Sequence, residues 1–296
     1  MIGEIAALVA AFCWAASAVL YKKVLSKTGY LSANLVRSAF AVLFLLSILP
    51  LIPFQSSVVS LNELGLLVFA AVTNLVIGDT FYFMGLRKIG VSRAQPISSS
   101  YPLYSMVLAG FVLGEPLTSA VLIGTPLIVI GTVAVSLAGN NNNMKTAGGS
   151  SLGGAVASIV AALFWSVGLI TYKVALIGST IDTSYATFIR TASILPFLLG
   201  AVVIGGESHQ LRKLNRKDIA VLAVAGVLAL GVGGILLFLS LSLVDASIAI
   251  PLSSVSPLFS LMLAKRYSGE RITPRIIMGA ALIVVGVVLV SFYNHQ

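Results

Sequence analysis

The chain is a succession of long apolar stretches separated by short polar ones. A helix that crosses a bilayer needs about 20 mainly apolar residues. Ten stretches meet that requirement, at about 4–21, 33–53, 64–86, 94–113, 118–138, 153–172, 184–204, 219–243, 247–264 and 276–293. A barrel strand would alternate apolar and polar residues over about ten positions. These stretches are continuously apolar, so the pattern predicts helices. Several contain Gly or Pro, which membrane helices tolerate where neighbours satisfy the freed backbone groups. The expected class is an all-α membrane protein with ten transmembrane helices.

One polar stretch differs from the rest. Gly139 to Gly154 reads GNNNNMKTAGGSSLGG, a low-complexity composition that predicts a flexible connection. It falls at the middle of the chain, and the two sides of it match. AAFCWAASAVLYKKV at Ala10–Val24 aligns with AALFWSVGLITYKVA at Ala161–Ala175, placing Trp14, Tyr21 and Lys22 on Trp165, Tyr172 and Lys173. Arg37 in LVRSA falls on Arg190 in FIRTA. Further along, Pro96, Ser98, Ser99, Pro102, Ser105, Glu115 and Thr118 fall on Pro251, Ser253, Ser254, Pro257, Ser260, Glu270 and Thr273. Gly124 and Gly131 fall on Gly279 and Gly286. The organisation is therefore a five-helix repeat over 1–138, a linker over 139–152, and a second five-helix repeat over 153–296. Five is odd, so the second copy enters the membrane from the opposite side. Such inverted repeats are a transporter architecture, with the site near the midplane where the repeats meet.

Composition agrees with a lipid environment. The chain is 58% hydrophobic and 9% charged, against about 25% charged in soluble domains. The net charge of +9 does not indicate nucleic acid, because the basic residues lie between apolar segments. Fifteen of the 18 fall on the side away from the termini, among them Lys22, Lys23, Arg87, Lys88, Arg212, Lys213, Lys265 and Arg266. The positive-inside rule makes that side cytoplasmic and both termini external, in a cell membrane. The N-terminus has Glu4 and no basic residue before Lys22, so the first segment is expected to be a retained helix, not a secretory signal. The single cysteine, Cys13, makes no intrachain disulfide or Cys-rich metal site. Both histidines, His209 and His295, lie outside the apolar segments. No metal or cofactor is expected.

The paired motifs AAFCWAASAVLYKK and AALFWSVGLITYK resemble the EamA type of the drug/metabolite transporter superfamily. So do the paired Pro-x5-Pro helices, and VLGEPLTSAVLIGTPLIVIG with YSGERITPRIIMGAALIVVG. The resemblance spans nearly the whole chain, as units at about 3–138 and 153–293. It implies alternating-access export or exchange of small metabolites such as amino acids or drugs. It also implies cytoplasmic termini, as in many relatives, and the charge count here departs from that.

Candidate chemistry lies in the apolar segments. The fourth and ninth read RAQPISSSYPLYS and ASIAIPLSSVSPLFS. Each proline removes a backbone donor and frees carbonyls one turn earlier, which need a partner in lipid. A solute cavity would supply one. Gln95, Ser98, Ser99, Tyr101 and Tyr104 are the cavity candidates on the fourth segment, and Ser253, Ser254 and Ser256 on the ninth. Close helix packing is the other use of such residues. Trp14, Ser17 and Tyr21 share one face of the first helix, and Trp165 with Tyr172 repeats the arrangement on the sixth. Asn74 and Tyr82, with Thr80, make the third segment unusually polar. Asp79 on that segment is the one carboxylate well inside a span, a functional candidate by default. Arg37 lies at a similar depth and could pair with it, as a structural lock or as part of a proton-coupling device. The second repeat has Gly234 where the first has Asp79. Arg190 could snorkel towards Asp245. The glycine pairs seven residues apart mark close helix contact within the fold or in a dimer.

No nucleotide-binding loop, metalloprotease helix or nucleophile elbow is present. The reading is a secondary transporter of a small organic solute, as monomer or homodimer, driven by an ion gradient, exchange or downhill flow. An intramembrane enzyme would need clustered catalytic groups that the segments lack. The alternative is a non-transporting membrane scaffold or receptor.

Overall fold

The computed structural model of the chain describes residues 1–25, 28–51, 59–89, 91–138, 152–268 and 274–292. Every regular element among them is helical. Helix 1 is Ile2–Leu25 and helix 2 is Tyr30–Ile48, extended by the tight turn Leu49–Leu51. Helix 3 joins Leu61–Ala71, the π turn Val72–Gly78 and Asp79–Ile89. Helix 4 is broken into Val91–Ser98 and Tyr101–Leu108, continuing through the π turn Ala109–Leu113. Helix 5 is Ser119–Ala138 and helix 6 is Leu152–Leu176. Helix 7 joins Thr183–Ser193 to Leu195–Ile204. Helix 8 joins Arg216–Gly226, the π turn Val227–Val232 and Gly233–Leu243. Helix 9 is broken into Ala246–Ser253 and Ser256–Ser268, and helix 10 is Pro274–Phe292. All ten expected segments are present. Eight are long and apolar enough to cross a membrane, and helices 4 and 9 are the shorter, interrupted pair. The expected linker lies outside the described residues, except Leu152.

In lipid there is no hydrophobic drive to bury large apolar side chains, so small residues that permit close approach are favoured at helix contacts while many large ones face outward. Helix 1 buries Ala6, Ala7, Ala10, Ala11 and Ala15 and presents Ile5, Val9 and Phe12 outward. Helices 5 and 10 show the same logic at its tightest. A Cβ at Gly131 would lie 2.5 Å from the Gly279 carbonyl oxygen, and one at Gly286 would lie 2.6 Å from that of Gly124. The two glycine pairs face each other across the repeats, with Ile128 and Ile283 buried in the seam.

The halves interlock. Helix 1 runs along helix 8, and helix 6 along helix 3. Opposite insertion is visible at the ends. Gly3 packs against Val244 on the side of the termini, while Ser32 hydrogen-bonds Glu207 on the other. Two of the three π turns, Val72–Gly78 and Val227–Val232, fall at repeat-equivalent positions, and each faces a tryptophan of the crossing helix. A Cβ at Gly78 would meet Trp165 at 2.5 Å, and one at Gly233 would meet Trp14 at 3.0 Å. Turns of this type are frequent at functional sites.

Candidate substrate site

Helix 6 carries Trp165 into the middle of the molecule, against the π turn of helix 3. Its indole Nε1 donates to Asp79 Oδ1 at 3.0 Å. The Asn74 side-chain amide donates to the Trp165 carbonyl at 3.0 Å, which fixes helix 6 against the turn. The Tyr82 ring lies 5.1 Å from the indole, and its hydroxyl donates to Gln95 Oε1. Tyr101, at the break of helix 4, meets the indole edge-on at 5.9 Å. Its phenol also interacts with the Ser253 side chain, which stands at the break of helix 9. One carboxylate, one indole and two phenols from helices 3, 4 and 6 thus form a cluster that touches helix 9.

The two arginines complete it. Arg190 is buried, with its guanidinium 5.6 Å above the Tyr172 ring and 5.5 Å above Phe238. It acts electrostatically on Asp79 and on Arg37. Arg37 donates to Asn34 Oδ1 at 2.7 Å and also acts on Asp79. Asp79, Arg37 and Arg190 therefore form one electrostatic group. The hydrogen bond that the sequence did not foretell is the one from Trp165. Arg190 does not extend to Asp245 as expected. It turns inward, because Gly234 leaves room: a Cβ there would lie 3.2 Å from Arg190 Nη2. The place where the repeat would put a second carboxylate is occupied by a guanidinium.

The remaining candidates divide by their contacts. Trp14 Nε1 donates to the Ala229 carbonyl at 3.1 Å, and Ser17 Oγ to that of Ala225 at 2.8 Å, tying helix 1 to helix 8. Ser98 Oγ donates to the Ser158 carbonyl at 3.2 Å. Ser99, Ser253 and Ser254 return their hydroxyls to their own helices, on the carbonyls of Gln95, Ile250 and Pro251. Those serines satisfy carbonyls around the breaks. Tyr104 and Ser256 are partly exposed on the broken helices. The Tyr21 side chain lies outside the described set.

Two carboxylates were not singled out beforehand. Glu115 accepts from the backbone N–H groups of Ala246 and Ser247, both at 2.8 Å, and so holds the N-terminus of helix 9. Glu207 accepts from Ser32 N at 3.0 Å at the start of helix 2. Each reaches from one repeat to a helix of the other, where the helix dipole favours negative charge. The signal for Glu115 was its place in GEP after an apolar segment. Beside it, Lys173 Nζ donates to the carbonyls of Leu241 at 2.6 Å and Val244 at 2.8 Å, the C-terminal end of helix 8. Asp245 is pushed above the ordinary carboxylate range, first by loss of water and then by Glu115, with Lys173 opposing. Among the described residues, no three His, Cys, Asp or Glu side chains gather to hold a metal ion.

An all-α membrane fold of inverted repeats with a polar centre defines an integral membrane transporter. The model of the EamA-like transporter family matches residues 1–137 and again 152–292. The chain belongs to that family, within the drug/metabolite transporter superfamily. An "Uncharacterized transporter" of Archaeoglobus fulgidus is 27% identical over 98% of both chains. A "Probable amino-acid metabolite efflux pump" of Salmonella typhimurium is 27% identical over 67% of each. A "Putative sugar uptake protein" of Lactiplantibacillus plantarum is 26% identical over 73% of this chain and 74% of its own. A crystal structure 17% identical superposes with a TM-score of 0.82, covering 98% of this chain and 96% of that one. At that identity the likeness is one of fold.

Proposed function

We propose that the chain is a secondary transporter that exports a small organic metabolite by alternating access, with the solute bound at the Trp165–Asp79 centre. The observation that carries this is the 3.0 Å bond from Trp165 of one repeat to Asp79 of the other. A carboxylate placed deep in a span is costly and marks a pathway or a proton relay. Here it stands beside the two helix breaks, where half-helices meet, as substrate sites in inverted repeats do. Export agrees with the efflux name of the Salmonella relative, while the Lactiplantibacillus relative carries the opposite name. The basic bias of the side away from the termini supports a cytoplasmic face there, in the plasma membrane. Because helices 5 and 10 satisfy their glycine faces within the chain, the working unit is a monomer.

Proton coupling follows if Asp79 releases Trp165 when it binds a proton. The test is flux of labelled amino acids, sugars and dyes in proteoliposomes, with and without a pH gradient, for wild type and Asp79→Asn. Gradient-driven flux should fall at least tenfold in the variant, while its melting temperature stays within a few degrees. Equal flux in both would return Asp79 to a structural role. A protein that moves none of these solutes would favour the scaffold reading.

A further inference from the structure

Helix 9 begins with an aspartate whose side chain does not do what its position prepares it for. Asp245 is the N-cap residue of Ala246–Ser253, with φ −60° and ψ 147°, yet it makes no side-chain capping bond. Residues of the same kind at other helix starts do. Ser60 accepts from Glu63 N at 3.2 Å on helix 3, Asp182 from Ser184 N at 2.7 Å on helix 7, and Asn215 from Asp218 N at 2.9 Å on helix 8. On helix 9 the N–H groups are already taken. Glu115, from the segment after helix 4, accepts from Ala246 N and Ser247 N with its two oxygens, both at 2.8 Å. Ser247 N is the second N–H of the helix, one of the two that an N-cap aspartate ordinarily accepts from. Asp245 stands close enough to Glu115 to feel its charge. Two carboxylates therefore face one helix start, and the one from the other repeat holds it.

The space beside them is not filled. Asp245 and Ser247 line a small cavity with Pro116, Thr118, Ile248 and Val290. Ser247 is 1% exposed, and its hydroxyl has no hydrogen-bond partner. Repeat 1 pins the turn between helices 8 and 9 at two points, through Gly3 against Val244 and through Glu115. Lys173 bonds the Leu241 and Val244 carbonyls from within repeat 2, so it travels with the turn. Parting the repeats here takes Glu115 away from both N–H groups. A buried donor left without an acceptor is strongly unfavourable, so the opening needs a second acceptor at the same place.

We infer that Glu115 and Asp245 are alternative caps of helix 9, and that exchange of Glu115 for Asp245 releases the latch between the repeats on the side of the termini. With Glu115 in place the repeats are joined there. As they part, the Asp245 side chain turns onto Ser247 N, and the helix start is not left bare. Asp245 is a positioning residue: it sets the balance between the joined and parted states without touching a solute. The inference rests on the alternating-access reading proposed above and assigns its gate on this side.

The test is the rate at which N-ethylmaleimide labels Ser247→Cys in the purified full chain, in a Cys13→Ser background, read by mass spectrometry. The Ser247 hydroxyl makes no bond, so the substitution is mild, and its burial makes labelling slow while the latch is closed. Glu115→Gln should raise the rate about tenfold. Adding Asp245→Ala should cut the raised rate at least threefold, because alanine does not cap. Adding Asp245→Asn instead should leave it raised, because asparagine caps as well as aspartate. Ser158→Cys, on the fully buried face of helix 6, should label equally slowly in every variant. The inference is overturned if Glu115→Gln leaves the Ser247→Cys rate unchanged, or speeds Ser158→Cys by the same factor, the mark of a loosened fold. It is equally overturned if Asp245→Ala leaves the raised rate as it is or higher, or if Asp245→Asn acts like Asp245→Ala, the mark of a charge effect. Solute flux in proteoliposomes without this labelling pattern sinks the latch and leaves the transport reading intact. The labelling pattern without flux of any solute does the reverse.

Discussion

Trp14 and Trp165 occupy equivalent places in the two repeats and have diverged in what they hold. Trp14 donates to a backbone carbonyl, which any sequence would provide. Trp165 donates to Asp79, which only one repeat possesses. The sequence displayed both tryptophans, the lone carboxylate and the glycine opposite it. It did not display the bond between Trp165 and Asp79, which are 86 residues apart on helices that cross between repeats. Pairings of that kind depend on how helices rotate against each other, and local spacing carries no record of it. Glu115 is a residue-scale case of the same kind. It is 9% exposed and accepts two N–H groups at the start of helix 9. Charge-assisted bonds of this type contribute about 1.5–3 kcal/mol each. Glu115→Gln keeps one acceptor and loses the charge, so it should lower stability by about 1–3 kcal/mol in reversible denaturant unfolding. A loss no greater than that of an exposed control such as Asn62→Ala would mean the contact is dispensable.

At the scale of the element, the glycine spacing on helices 5 and 10 was legible because only glycine lets two backbones approach so closely. The partner was not, since a face of this kind serves a dimer equally well. The seam now allows a direct test. Gly131→Leu would drive a side chain into the Gly279 carbonyl, with Ile283 atoms 2.8 and 2.9 Å from the new Cβ. Overpacking typically costs about 1–3 kcal/mol, and a rigid backbone neighbour puts this case at the upper end. The expected result is a melting temperature several degrees lower, with no shift towards larger species in size-exclusion chromatography. Both prolines of each pair, Pro96 with Pro102 and Pro251 with Pro257, marked helices 4 and 9 as carrying freed carbonyls, and the breaks fall at Ser99–Ser100 and Ser254–Val255, just ahead of Pro102 and Pro257. Proline is tolerated in the first turn of a new half-helix and disfavours helix in the residue before it. The second proline of each pair therefore sets the break. The three π turns left no mark in the apolar pattern, because one added residue barely disturbs a segment that is apolar on every side.

For the molecule as a whole, ten segments and a doubled half were plain from hydropathy and from the repeated Trp, Arg, Pro and Glu. Its orientation in the membrane rests on charge alone, and it can be tested from the structure's exposed loops. In a Cys13→Ser background, Thr180→Cys lies on the side of the termini and His209→Cys on the basic side. A membrane-impermeant maleimide applied to intact cells should label Thr180→Cys at once, and His209→Cys only after permeabilisation. The opposite pattern would put the termini in the cytoplasm, as the family resemblance implies, and overturn the charge-based orientation.

The π turn of helix 3 also sets a phase. Each residue of an α-helix advances the side chains by about 100°. Val72–Gly78 fits one residue more into its rotation than an α-helix would, so rewinding the same residues as regular α-helix would rotate everything after them by about that angle. Asp79 and Tyr82 would swing off Trp165 together, while Asn74, early in the turn, would move least. The same dial stands at Val227–Val232, where it brings Gly233 to Trp14. A change of winding in either turn, between π and α, therefore alters what the centre presents to a solute with the sequence unchanged.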